Sequence, residues 1–420
     1  MMIFTSIYSV VDGLFVSNFV GKSAFAAVNL IMPFLMGISA LGFMIGTGGS
    51  AIVAKTLGEG KIENANEYFS MLVYITAIGG IIIAILSMFL VKPVAILFGA
   101  SGTLLDNCIL YGRILCISLP AFMLQNVFQS FFVTAEKPHL GLRVIVIAGV
   151  TNMVLDFLFV AVFHLGLPGA GLATVCGEFI GGLFPLFYFG RKNSSLLKLG
   201  KTHFHGRILL KTCTNGSSEL MTNLSSSVVN ALYNMQLMKF AGEDGVAAYG
   251  TIMYVNFIFV SIFFGYAIGS APIVSYHYGA NNQDELKNLF HKSIRLIGTW
   301  AVSLFIIAQL IATPLATLFV GYDQGLFELT RSGFRLYSFA FLINGFNIYG
   351  SAFFTALNNG LLSALISFLR TLVFQMAVVL LLPLLLGING VWCSVAIAEL
   401  LTLCVTGTFI VLKRNTYHYL

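Results

Sequence analysis

Runs of about twenty apolar residues recur along this chain from its first residues to its last, and no other feature restricts its fold as strongly. A helix rising 1.5 Å per residue crosses the ~30 Å hydrocarbon layer of a bilayer in a run of that length. Twelve such runs, roughly 1–18, 25–53, 67–91, 107–134, 142–163, 169–189, 212–239, 247–276, 289–312, 328–357, 361–385 and 391–412, account for the sequence. Each is apolar throughout and does not alternate, which favours helices over a barrel. Only 9% of the 420 residues are charged, against roughly 25% in a soluble chain. The sequence therefore predicts an all-α integral membrane protein. Met1 opens directly into apolar sequence without a basic flank or a small-residue cleavage site, so the first run is read as a span.

The charges that remain fall in the loops. The basic segment "RKNSSLLKLGKTHFHGRILLK" (191–211), with Lys55, Lys61, Lys137, Arg143, Lys287, Lys292, Arg295, Lys413 and Arg414, occupies alternate loops and tails, which the positive-inside rule makes cytoplasmic. The opposite loops carry Lys22 and Lys92 against Asp106, Glu243, Asp244, Asp323 and Glu328. Both termini are expected on the cytoplasmic side of a cell inner membrane, and the net charge of +6 reflects topology and not a nucleic-acid partner. The six cysteines lie in or beside apolar runs with no CxxC spacing and read as small buried side chains. The seven histidines are scattered, mostly in loops, so neither a metal site nor any bound cofactor is expected.

The chain also repeats itself. "GKSAFAAVNL" from Gly21 resembles "GEDGVAAYGT" from Gly242, an offset of 242 − 21 = 221. The same offset carries "SAIVAKTLGEG" (50–60) onto "APIVSYHYGAN" (271–281), Pro93 onto Pro314, Gly166 onto Gly387, Gly169 onto Gly390 and Glu178 onto Glu399. The expected organisation is an N-terminal six-helix lobe (1–189), a basic cytoplasmic linker (190–211) and a C-terminal six-helix lobe (212–420). Six spans per half is an even number, so the two lobes should be related by a pseudo-twofold along the membrane normal, a plan suited to alternating access. Span seven begins near Thr212, and 212 − 221 falls before Met1, so span one is expected to be short at its start.

One charge stands out within the apolar runs. In "NMVLDFLFVAVF" (152–163) a carboxylate, Asp156, interrupts a span. An aspartate inside a bilayer is expensive and usually faces a cavity or partner on an ion or proton pathway. Asn152 lies four residues earlier, on the same helix face.

Several segments together, in order and in both halves, resemble one known family. "SIYSVVDGLFVSNFVGKSAFAAVNL" (6–30), "GTGGSAIVAKTLGEG" (46–60), "TNMVLDFLFV" (151–160), "GLPGAGLATVCGE" (166–178) and "LLPLLLGINGVW" (381–392) are similar to multidrug and toxic compound extrusion (MATE) transporters, in a branch of bacterial multidrug exporters related to the DinF group. The resemblance implies two six-helix lobes in a V and cation-driven export of organic cations. It also implies a cation site in the N-terminal lobe, whose matching positions here are Asp12, Asn152, Asp156 and Thr174. Depth along the spans agrees: counted from the outer span ends, Asp156 lies about 10 Å deep, Asp12 about 9 Å and Thr174 about 8 Å. Such oxygens suit Na+, and the same aspartates could instead carry H+.

Adding 221 turns Asp12 into Tyr233, Asn152 into Val373, Asp156 into Ala377 and Thr174 into Val395, so the C-terminal lobe should lack this site. Glu178 and Glu399 persist in both lobes and read as structural, with proton relay a minor reading for Glu178. Arg370 and Glu399 both fall near mid-membrane and are expected to neutralise each other. Glu219 reads as a cavity-mouth or capping group at least as well as a coupling residue.

The leading expectation is an H+- or Na+-coupled antiporter exporting hydrophobic organic cations, working as a monomer in the lipid bilayer. A flippase for lipid-linked precursors of a related superfamily is the alternative; it should line its cavity with several basic residues for phosphates, and only Arg113, Lys239, Arg331, Arg335 and Arg370 lie in or beside spans. An enzyme would need a nucleophile–base or metal constellation, and none is visible.

Overall fold

The computed structural model describes residues 2–5, 15, 19–20, 22–321 and 323–420, with Lys22, Ser23 and Phe25 described in their backbone alone. Its helices are α1 (Lys22–Gly58), α2 (Ile62–Leu97), α3 (Gly102–Thr134), α4 (Pro138–Asp156), α5 (Gly166–Gly190), α6 (Gly206–Gly279), α7 (Gln283–Val320), α8 (Gln324–Tyr337), α9 (Phe341–Ala356), α10 (Gly360–Phe368), α11 (Gln375–Leu386) and α12 (Ile388–Tyr417). Wider π turns extend two of them: Phe157–Val162 continues α4, and Leu369–Phe374 joins α10 to α11. A 3-10 turn, Ser338–Ala340, joins α8 to α9.

Among the described residues ten helical runs are long and apolar enough to cross a membrane. The expected first span, 1–18, falls mainly outside the described residues. Expected spans seven and eight form one 74-residue run, α6, that breaks at Gly242 with φ 62° and ψ −148°. A side chain would be strained in that left-handed conformation, so glycine is what lets the chain turn between the two spans.

The chain divides into two compact units, Met1–Gly216 and Ser217–Leu420. The sequence reading began the second half at 212, whereas α6 begins at Gly206 and its first turns stay with the first unit. The cause is close packing, because a Cβ on Gly48 of α1 would strike the Thr212 carbonyl and the backbone of Gly216. Small residues do the same work inside that unit: a Cβ on Gly182 of α5 would be driven into the Ala121 carbonyl of α3. Lipid tails are as apolar as leucine, so association of spans depends on such close backbone approach and on dispersion. Phe69, Phe128, Phe131 and Phe189 pack ring against ring in the same unit. In the second unit Phe334, Phe341, Tyr349, Phe353 and Trp392 belong to one continuous buried cluster.

The internal repeat survives as backbone conformation. Gly60 (φ 78°) and Asn281 (φ 52°) both adopt the left-handed region, as do Gly166 (φ 62°) and Gly387 (φ 57°), each pair 221 residues apart. Pro93 and Pro314 lie inside α2 and α7. The π turns break the pattern, since 157 + 221 = 378 whereas the second turn begins at Leu369.

Residues 191–205 lie as a strap along the start of α2. Asn66 Oδ1 accepts from the Lys198 amide (2.6 Å), Ser70 Oγ accepts from the Gly200 amide (3.0 Å), and Tyr74 donates to the Gly200 carbonyl (3.2 Å). Glu67 Oε1 lies 3.0 Å from both His203 Nδ1 and His205 Nε2. Of the cysteines, Cys108 and Cys116 are buried, Cys176, Cys213 and Cys393 half-buried, and Cys404 exposed; the last departs from the sequence reading because it sits on an outward face of α12.

Candidate ion site

Asp156 is the last residue of α4 and leads into the π turn. It is 0% exposed, and Asn152 one turn earlier is 3% exposed. An inserted residue in a helix shifts the faces beyond it, and such turns recur at functional sites. Here the shift begins directly after the buried carboxylate, so the two polar groups keep one face while the apolar residues that follow are redirected, with Phe157 and Phe163 exposed.

Helix α5 runs antiparallel beside α4. A Cβ on Gly177 would lie 3.0 Å from the Ala148 carbonyl and 3.2 Å from Asn152 Cβ, and one on Gly169 would lie 3.1 Å from Phe159 Cβ. These contacts fix the register and put Thr174, between Gly169 and Gly177, opposite the stretch from Asn152 to Asp156. Thr174 Oγ1 donates its proton to the Ala170 carbonyl (3.1 Å), which leaves its lone pairs free to accept or coordinate. Neither Oδ1 nor Nδ2 of buried Asn152 has a hydrogen-bond partner among the described residues. A buried amide without partners costs on the order of 1–3 kcal/mol. Asn152 and Asp156 thus share one face of α4, and Thr174 lies on the stretch of α5 that packs alongside; Asp12 lies outside the described residues.

Glu178 follows Thr174 by one turn on α5 and accepts a 2.5 Å hydrogen bond from Ser118 of α3. It closes one end of a cavity of about 20 Å³ whose other walls include Met32, Leu35, Leu119 and Phe122, room for about one water molecule. Its counterpart Glu399 is held differently. Arg370, within the second π turn, donates from Nε to both carboxylate oxygens (2.9 and 3.0 Å) and from Nη2 to Oε1 (2.8 Å). Asn347 Nδ2 adds bonds to Glu399 Oε2 (2.7 Å) and to its carbonyl (2.8 Å). Glu219 is half-buried within electrostatic reach of Arg370. Sequence reasoning missed Ser118 and Asn347, because polar residues 60 and 52 positions from their glutamates carry no local signal.

The family model described as MatE matches residues 1–158 and 220–381. Multidrug export protein MepA of Staphylococcus saprophyticus subsp. saprophyticus is 22% identical over 98% of this chain and 91% of its own length. MepA of Staphylococcus haemolyticus is 24% identical over 96% of this chain and 89% of its own. Among solved structures, a MATE protein in complex with MaL6 superposes with a TM-score of 0.94 at 23% identity, over 99% of this chain and 94% of that one. A MOP superfamily transporter from Pyrococcus furiosus superposes with a TM-score of 0.92 at 23% identity, with the same coverage.

Proposed function

The chain belongs to the MatE family, and from that premise we propose that it is a multi-pass membrane exporter of hydrophobic organic cations, driven by Na+ or H+ entering through the ion site of the first unit. The observation that carries this reading is the buried carboxylate of Asp156 on one face of α4 with the buried amide of Asn152, which has no hydrogen-bond partner among the described residues. Hard oxygen donors on two helices suit an alkali cation. A carboxylate can also carry a proton, so the same group serves either ion. Multidrug export by relatives with nearly full-length matches supports the substrate class.

In this mechanism the driving ion neutralises Asp156 and takes the Asn152 amide oxygen as a ligand, and Asp12 completes the donor set. Ion and drug favour different conformations, so each weakens binding of the other. Export then follows from ion entry on the outer side, with both termini on the inner side and the protein acting as a monomer. The second unit has no equivalent site, since Val373, Ala377 and Val395 occupy the corresponding positions; its Arg370–Glu399 pair is structural.

Proteoliposomes with Na+ and pH gradients imposed separately test this reading. Ethidium or norfloxacin movement should follow one of the two gradients and vanish when that gradient is collapsed. Drug movement indifferent to both would overturn it.

A further inference from the structure

Helices α2 and α3 line an open groove of about 380 Å³ that the ion site does not use, with apolar walls including Met88, Ile109, Leu110, Ile114 and Ile117 and with two charged lining residues, Asp106 and Arg113. Its size is that of an ordinary ligand pocket. Neither Asp106 nor Arg113 has a hydrogen-bond or ion-pair partner among the described residues, and both are exposed. The groove opens beside the outward face of α2, where Ile81, Ile82, Ile85 and Phe89 are each more than half exposed. A band of that composition on a spanning helix faces lipid.

We infer that this groove is a binding site for a phospholipid with a primary-amine headgroup. The order of groups along α3 matches the order of groups in such a lipid. Asp106 lies about 6 Å and Arg113 about 16 Å from the start of α3 at Gly102, and the apolar wall continues deeper through Ile114 and Ile117. An arginine at that depth extends its guanidinium toward the interface, which brings it nearer Asp106 while its stem stays on apolar surface. The lipid phosphate meets Arg113, the outer ammonium meets Asp106, and an acyl chain fills the apolar trough. Charge complementarity selects this occupant: an anionic headgroup would place negative charge against Asp106, and a quaternary ammonium has no N–H to donate to it.

Native mass spectrometry of the full-length protein, exposed to equimolar phosphatidylethanolamine, phosphatidylcholine and phosphatidylglycerol of matched chains, tests the inference. Retention of phosphatidylethanolamine should exceed that of phosphatidylcholine roughly fivefold, the factor available from a partly exposed charged hydrogen bond. Asp106→Asn should erase that preference, and Arg113→Gln should lower retention of all three lipids. Equal retention of the amine and choline lipids, preferred retention of phosphatidylglycerol, or an unchanged preference in Asp106→Asn would each overturn it. Both side chains are exposed, so the variants should melt as the parent does; if either fails to fold, the three-lipid comparison on the unaltered protein decides alone. Drug export plays no part in the readout, so this result stands apart from the proposed transport activity.

Discussion

Arg370 grips Glu399 through three nitrogen–oxygen contacts of 2.8 to 3.0 Å, and Asn347 occupies the carboxylate from another side. The pair is nearly out of reach of solvent, at 9% and 1% exposure. Arg370→Ala would leave Glu399 as a buried charge with a single amide partner, at a cost of about 3–5 kcal/mol. The purified variant should melt well below the parent. Adding Glu399→Ala removes the orphaned charge and should recover part of the loss, so a double variant no more stable than Arg370→Ala would refute the pairing. Arg370→Lys should recover little, because a point ammonium cannot reproduce the planar fork.

Asp156→Asn keeps the volume of the side chain and removes its charge. Gradient-driven drug efflux should be lost while the melting temperature stays close to that of the parent. Normal efflux by a well-expressed Asp156→Asn protein would remove Asp156 from the mechanism.

Asn152→Ala should separate function from stability more sharply. Its two polar atoms have no hydrogen-bond partner among the described residues, so deleting them should leave stability unchanged or raise it by up to about 1 kcal/mol. The half-saturating concentration of the driving cation should rise by roughly tenfold, the effect of one lost hydrogen-bonded ligand at about 1.4 kcal/mol. Loss of stability with unchanged ion dependence would make Asn152 a structural residue.

The strap over α2 gives a prediction read by proteolysis. Glu67→Gln weakens the acceptor shared by His203 and His205, and Asn66→Ala removes the acceptor for the Lys198 amide. The combined variant should be cut faster by trypsin after Lys198 and Lys201, with cleavage elsewhere unchanged. An identical cleavage rate would mean that the strap is held by its remaining contacts.

Gly182→Leu places a branched side chain where the Ala121 backbone already lies. Helices α3 and α5 must separate, at about 3 kcal/mol or more, and yield and melting temperature of the purified protein should both fall. Gly190→Leu is the control, since nothing lies within 4 Å of a Cβ there.

What the sequence determined by itself is the part of the protein governed by local chemistry and period. Uninterrupted apolar runs admit only helices in lipid, and their lengths set the spans. The offset of 221 paired positions in the two halves, and Gly60 with Asn281 and Gly166 with Gly387 each adopt a positive φ where one span stops and the chain is redirected. The spacing of Asn152 and Asp156 put both on one face before any fold was in view. Tertiary structure alone decided which distant groups meet. Glu178 and Glu399 are equivalent in the repeat, yet Ser118 holds the first while Arg370 and Asn347 hold the second. Helix packing brings residues 29 to 60 positions apart to within 3 Å, and no local propensity encodes that choice. The two π turns make the same point: they sit at unequal depths in equivalent helices, one following Asp156 and one containing Arg370. An extra residue in a helical turn is tolerated only where neighbouring helices accommodate its wider backbone, so its position belongs to the assembled bundle and not to the sequence of the helix that carries it.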